Sequence, residues 1–317
     1  MSSNFFAHIA LVLIGLFASS ISWAQFGRAE FTEAGDFSES AIVRGVKATQ
    51  EQCGKVSNAV WVVSGSHAEC LRYWTGGFEK AAAKRAIVFF HGDVFVGVGK
   101  TSPDYLNSSL TAQNEFAEVW AKRLNVPYIS FARPGTYGSS GDHMQRRRKL
   151  ESELISAALD QIKARLGIEE WVVAGQSGGG HVTASLLTLR NDIVCAVPTS
   201  SPSSPRTRWE IAGRSRDTTN YSDSYEPTQY LAKDRMHPAI RVFVLGDPLD
   251  KNVFWASQTV LADALQKTNV QVSVLRGEGI GPDMHGLSRS ARIVASWCFK
   301  DIPTSEIEAL AIKGLKG

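Results

Sequence analysis

The sequence has only four cysteines and no C-x-x-C pair or cysteine/histidine spacing, which excludes a zinc knuckle or a dithiol redox centre as the basis of function. It also lacks a strong charge of either sign. The 34 Lys and Arg against 31 Asp and Glu leave a formal net charge of +3, too small to make nucleic acid an expected partner. The run RRRK, Arg146 to Lys149, is a local exception, and at the head of an amphipathic helical pattern it reads as a solvated face. Long apolar runs are missing too. A bilayer crossing needs roughly 20 apolar residues, and IALVLIGLFA, Ile9 to Ala18, is shorter than that.

That apolar stretch fits a different role. It has the length of a signal-peptide h-region, and Ser22-Trp23-Ala24 puts small residues at the two positions a signal peptidase reads. The preceding MSSNFFAH carries no Lys or Arg, a departure from the usual basic start. Residues 1–24 are therefore expected to be a cleaved signal, leaving residues 25–317 periplasmic or secreted, without a stable membrane span. No cysteine lies near the cut, so a lipid anchor is not expected. In an oxidising compartment Cys53 and Cys70 are candidates to close a short loop. For Cys195 in IVCAV and Cys298 in ARIVASWCF, a bridge and two buried thiols both fit.

With 317 residues, 44% of them hydrophobic, the chain can bury one core of roughly 200 to 300 residues. From Ala86 onward, short apolar strands alternate with turns rich in Gly, Pro or Asp and with helical stretches. RAIVFF, VPYISF, EEWVVA, IVCAV, AIRVFVLG and VQVSVL show little polar alternation, as expected of a mostly parallel sheet with helices on both faces. Leu110, Phe116, Val119, Trp120 and Leu124 recur near a 3.6-residue period and predict one helix; Leu150, Leu154, Ile155, Leu159 and Ile162 predict the next. Residues 59–78 read as antiparallel edge strands turning near Gly65. Residues 202–238 break the rhythm and read as a small cap or specificity insertion over the carboxyl ends of the strands, where such sheets bind ligands. No second domain is expected.

Gly175-Gln176-Ser177-Gly178-Gly179 matches G-x-S-x-G between a strand, WVVA, and a helix. The spacing has a physical purpose. A hydroxyl becomes a useful nucleophile when a tight strand-to-helix turn projects it toward a base, and Gly175 and Gly179 lack the Cβ atoms that would collide as the turn closes. The helix aims its positive end at the reaction centre, and the Gly178 N–H is a candidate donor to a developing oxyanion. A phosphate-binding turn would need G-x-G-x-x-G or GK[ST], and GQSGGG has neither.

A serine nucleophile needs a base that is itself oriented. Of seven histidines, His8 leaves with the signal, His67 lies in the edge strands, His143 precedes the basic run and His237 precedes Pro238. His181 sits inside the helix after Ser177 at a poor angle, and His91, in the turn HGD, reads as a tie between loops. His285, in the loop GIGPDMHGLS, is the candidate base. Asp247 and Asp250 in GDPLDKNV both qualify as the acid that fixes its tautomer. Asp283 reads as a loop residue. The backbone N–H of Asp93 is the second candidate oxyanion donor, provided its carboxylate faces away from the anion.

HGD at 91–93, ARPGTYGSSGD at 132–142, GQSGGG at 175–180, D-x-x-V at 250–253 and His285-Gly286 together resemble the α/β-hydrolase superfamily. Within it the likeness is to exported esterases and to prolyl-oligopeptidase-type serine peptidases, and it covers roughly residues 85–299. The resemblance implies the Ser, Asp, His chain order seen here. It favours Asp250 as the acid, although the spacing from Gly246 is one residue longer than the family's usual pattern, which keeps Asp247 open. It places the oxyanion donors at Asp93 and Gly178 and makes Arg133, in a turn like R-G-x-G, a brace or a substrate contact. The segment before the core leaves no room for the propeller of large oligopeptidases.

The expected activity is serine hydrolysis of a carboxylic ester or thioester through Ser177, His285 and Asp250, on a small acyl or peptidyl substrate, without metal or cofactor. A small peptidase or amidase and a non-catalytic binding protein on the same scaffold are the alternatives. Tyr137, Trp209 and Tyr225 are candidate substrate contacts, with packing within the cap the competing reading for the last two.

Overall fold

Residues 27–78, 83–96 and 99–317 are described by the computed structural model; the expected signal segment lies outside them. The apolar runs form one eight-stranded sheet: β1 (Ala59–Ser64), β2 (His67–Gly76), β3 (Arg85–Phe90), β4 (Tyr128–Phe131), β5 (Glu170–Gln176), β6 (Ile193–Thr199), β7 (Arg241–Gly246) and β8 (Gln271–Arg276). Their spatial order is β1-β2-β4-β3-β5-β6-β7-β8. β2 pairs antiparallel with β1 and with β4, and the remaining pairings are parallel. The hairpin at Gly65 thus supplies an edge, as the sequence predicts.

Among the described residues, seven helices of seven or more residues pack on the sheet or close over its end: α1 (Leu110–Leu124), α2 (Lys149–Leu166), α3 (Gly178–Leu186), α4 (Pro205–Ile211), α5 (Trp255–Lys267), α6 (Ser288–Phe299) and α7 (Thr304–Ile312). One core joins Val88, Phe90 and Val173 to Leu154 and Leu159 of α2, Val182 of α3 and Leu261 of α5. The other joins Ile87, Phe89 and Val172 to Trp120 of α1, Val294 of α6 and Ile307 of α7. Successive strand residues point to opposite faces, so a strand covered on both sides is apolar at every position. That is why the central runs carry no polar alternation.

The face of α1 differs from the expected one. Ala117, Trp120, Ala121 and Leu124 are buried, whereas Phe116 and Val119 are exposed. The cause is the closeness of α1 to β2: a Cβ on Gly76 would lie 2.8 Å from both the Ala117 carbonyl oxygen and the Ala121 Cβ. Small residues permit that approach, and a stripe chosen by hydrophobicity alone misses them.

Cys53 and Cys70 form a disulfide, with Cα atoms 5.5 Å apart. Cys195 and Cys298 form a second, joining β6 to α6 across a sequence separation of 103. The bridge is therefore the correct one of the two readings for that pair. Among the described residues, no helix is long and apolar enough to cross a membrane.

Candidate active site

β5 ends at Gln176 and α3 begins at Gly178, so Ser177 alone makes the turn, at φ 55° and ψ −121°. Such a backbone costs on the order of 1 to 3 kcal/mol and persists only where its surroundings impose it. Here they do. The Ser177 N–H donates to the Thr199 carbonyl at 2.8 Å, while a Cβ on Gly175 would lie 2.3 Å from the Gly179 oxygen and one on Gly179 would lie 2.1 Å from the Phe90 oxygen. Nine non-glycine residues among those described have positive φ, and four of them are Asn or Asp, which accept it readily. The other five are Tyr137, Arg147, Ser177, Ser200 and Met284. Ser200 follows the acceptor Thr199, Met284 precedes His285, and Tyr137 packs on His91 at 4.7 Å between ring centroids. Backbone strain is gathered around this one turn.

The His285 loop is tied to the residue beside Ser177. Gln176 Nε2 donates to the His285 carbonyl at 2.8 Å, and Gln176 Oε1 accepts from Leu287 N and Ser288 Oγ at 2.9 and 2.6 Å. On the ring's other side, His285 Nδ1 lies 2.7 Å from Asp250 Oδ2. An ionised carboxylate only accepts, so the imidazole proton sits on Nδ1 and the lone pair on Nε2. That Nε2 is buried and has no hydrogen-bond partner, Ser177 Oγ included.

Asp250 is fixed by donors on both of its oxygens. Its Oδ1 accepts from Asn252 N and Val253 N at 2.8 and 2.9 Å, and its Oδ2 accepts also from Gln258 Nε2 at 3.2 Å. Asp247, three residues earlier, points elsewhere, accepting from Leu249 N and Gly279 N at 2.7 Å each. It braces the loop and does not meet the imidazole. Gln176 and Gln258 escape sequence reasoning; the only signal is for Gln176, a polar residue between an apolar strand and the tight turn, while Gln258 sits between Ser257 and Thr259 in a helix and gives none.

His91 and His181 are bonded elsewhere, whereas neither ring nitrogen of His143 has a hydrogen-bond partner. His91 bonds the Gly92 oxygen and Thr136 Oγ1 at 2.6 and 3.0 Å, tying loops together as expected. His181 bonds the Tyr225 oxygen at 2.9 Å. Burial, aided by Arg133, pulls the pKa of His91 down to about 3; burial pulls His181 to about 4 and, with Arg133, holds His143 well below its ordinary range. In the unfolded chain each imidazole takes a proton near pH 6.5. Between there and about pH 4 the unfolded state binds more protons, so stability falls as pH is lowered, by up to about 1.4 kcal/mol per pH unit for each histidine. Thermal unfolding should show a lower midpoint at pH 5 than at pH 7.5. A midpoint unchanged or higher at pH 5 would contradict three neutral buried imidazoles.

The Asp93 N–H and the Gly178 N–H have no acceptor among the described residues. The Asp93 carboxylate turns into a cluster of guanidinium groups: Arg133 Nη1 and Arg146 Nε lie 3.0 Å from it, and Arg147 Nη1 also bonds it. Burial alone would push this carboxyl up, but Arg147, Arg146 and Arg133 hold it well below the usual carboxylate range. Its charge is spent on these partners. The same group explains Gly178, where a Cβ would lie 2.0 Å from Asp93 Oδ1.

The solvated face expected of RRRK is half wrong. The Arg146 and Arg147 side chains are only 5% and 1% exposed, and only Arg148 and Lys149 reach water. A carboxylate as shielded from water as that of Asp93, 18% exposed, needs opposite charge around it, a requirement that local periodicity does not register. Arg133, read as a candidate substrate contact, has a side chain with 0% exposure, paired to Asp93 and to Glu151. It braces the site and presents no surface to a substrate. The Tyr225 hydroxyl lies 2.8 Å from Thr188 Oγ1 and its ring stacks on Tyr230, the packing role. Trp209 is 8% exposed. Tyr137 is half-buried against His91.

No family model and no curated protein matches this sequence. Solved structures do. Est1E from Butyrivibrio proteoclasticus has a TM-score of 0.51 at 12% identity, over 77% of this chain and 98% of its own. An acylaminoacyl peptidase gives 0.51 at 13% identity, and prolyl oligopeptidase B from Galerina marginata 0.52 at 11%. The chain covers 40% and 36% of those two proteins, with 77% and 76% of its own length. The chain has the α/β-hydrolase fold. At these identities the likeness is one of fold, and the chemistry of this chain must come from its own residues.

Proposed function

We propose that this α/β-hydrolase-fold protein is an exported serine hydrolase acting on carboxylic esters or thioesters. One observation carries the reading: the bare lone pair of His285 Nε2, buried beside the serine turn while Asp250 holds the opposite ring nitrogen. Ser177 Oγ attacks the acyl carbon and passes its proton to Nε2. The carbonyl electrons move onto oxygen, where the N–H groups of Asp93 and Gly178 receive the anion. Collapse expels the alcohol or thiol, which leaves with the proton from His285, and an acyl-serine remains. Water then repeats the steps, its proton going to Nε2 and on to Ser177 Oγ as the acid departs. The Ser177 to His285 hydrogen bond is open here, and in such sites it commonly tightens only when substrate binds.

The ester reading is supported by the breadth of the match to the Pyrococcus furiosus esterase PF2001, with a TM-score of 0.50 at 12% identity over 80% of this chain and 90% of its own. Export is supported by the apolar segment at residues 9–18 and by two disulfides. The test is labelling with a fluorophosphonate, which reacts only with an activated serine. Stoichiometric modification mapped to Ser177 by peptide mass spectrometry is the expected result. A folded protein that resists the probe, or carries it at another serine, would refute the reading.

A further inference from the structure

A continuous run of polar contacts links the two sides of the candidate active site. Asp93, pressed against Gly178, binds Arg147. Arg147 Nε reaches Asp217 Oδ2 and its Nη2 reaches Thr218 Oγ1, both at 2.7 Å. Arg208, from α4, approaches the same two residues at 4.0 and 3.5 Å through Nη1. Its Nε and Nη2 then donate to the backbone and side-chain oxygens of Asn252 at 3.2 and 2.5 Å, and Asn252 N donates to Asp250 Oδ1 at 2.8 Å. Arg208 therefore bridges the oxyanion side of the site to the acid loop.

Four guanidinium groups stand in and beside this run, Arg133, Arg146, Arg147 and Arg208, against the carboxylates of Asp93, Glu151 and Asp217. The first three cations have a carboxylate oxygen within 3.0 Å. Arg208 does not: its nearest, on Asp217, is 4.0 Å away and already bound by Arg147. Asp250 does not balance it either. Its oxygens are filled by two backbone N–H groups, Gln258 and His285, and its charge is matched to the imidazolium that forms during reaction. Burial and the neighbouring Arg147 lower the pKa of Arg208 to about 10, and Arg214 adds to the excess of positive charge. The side chain is 15% exposed, and its loosest contact is at Nη1, 3.5 Å from Thr218 Oγ1 and 4.0 Å from Asp217, which is where a closer anion would bind.

We infer that Arg208 binds a carboxylate carried by the substrate, so that the enzyme prefers anionic esters to neutral ones of the same shape. This rests on the serine-hydrolase reading. A planar guanidinium with one edge already fixed on Asn252 is preorganised for a carboxylate oxygen. An uncharged ester leaves its charge without a close counter-ion, the nearest carboxylate being 4.0 Å away.

The test compares matched substrates. Monomethyl adipate against dimethyl adipate places the charge on the acyl side, and O-acetylglycolate against ethyl acetate places it on the leaving side; acid release is followed by pH-stat. For one pair or the other, the ratio of kcat/KM for the anionic over the neutral ester should exceed that of Arg208→Gln by roughly 10- to 100-fold. Arg208→Lys should keep part of it, and the preference should shrink with added salt. A purely structural role for Arg208 would lower all four rates together and leave both ratios unchanged, which would overturn the inference alone. No turnover of any of the four that depends on Ser177 would refute the proposed function, and this inference with it.

Discussion

Ser177→Ala is expected to lower ester hydrolysis by roughly four to six orders of magnitude, with the folded state intact. The size follows from losing the only atom that bonds to the acyl carbon. What remains is the donor pair at Asp93 and Gly178 acting on an attacking water, a residue of catalysis that such sites retain without a nucleophile. The fold should not notice. Ser177 makes no side-chain bond to cap α3, so removing its hydroxyl leaves no buried group unpaired, and alanine meets the φ of 55° with the same Cβ that serine has. The unfolding free energy should change by less than about 1 kcal/mol. Initial rates on the best ester, with thermal melts of both proteins, read the two halves separately. A variant that hydrolyses within tenfold of the parent would remove the nucleophile from the account; one that melts far lower would show the turn depends on the hydroxyl.

Asp250→Asn should cost about 10⁴-fold in kcat, and the neighbouring Asp247→Asn less than tenfold. The difference lies in which atoms each carboxylate meets. At position 250, two backbone N–H groups from Asn252 and Val253 fix Oδ1 as an acceptor. An asparagine must therefore turn its amide N–H₂ toward His285 Nδ1. A donor there forces Nδ1 to accept, drives the imidazole proton to Nε2 and removes the lone pair that should take the proton of Ser177. At position 247, asparagine can still accept one of the two backbone N–H groups from Leu249 and Gly279, and the loss falls mainly on loop stability, about 1 to 2 kcal/mol. Equal losses of kcat in the two variants, or a larger one at Asp247, would reverse the assignment of the acid.

Much of this was legible before any coordinates. Apolar runs such as AIVFF and WVVA have no polar alternation because both faces of their sheet are covered, and the G-x-S-x-G turn is visible because its glycines answer a steric demand made within five residues. His285 could be picked by elimination among seven histidines. What failed to show in the sequence has a common cause. Arg146 and Arg147 look like any basic helix head until Asp93, more than 50 residues away, is found paired with them. The face of α1 could not be predicted because the close approach of Gly76 favours Ala117 and Ala121 over larger neighbours.

The sequence by itself determined the α/β layering, the turn at Ser177 and the set of residues from which a reaction could be assembled, because these depend on periodicity and on local sterics that act over a few residues. Only the tertiary structure set Asp250 rather than Asp247 against His285, paired Cys195 with Cys298, buried the Arg133 side chain and left Arg208 with no carboxylate nearer than 4.0 Å. Those outcomes depend on distances of a few ångströms and on charge balance between segments remote in the chain. No pattern along one strand of sequence encodes them.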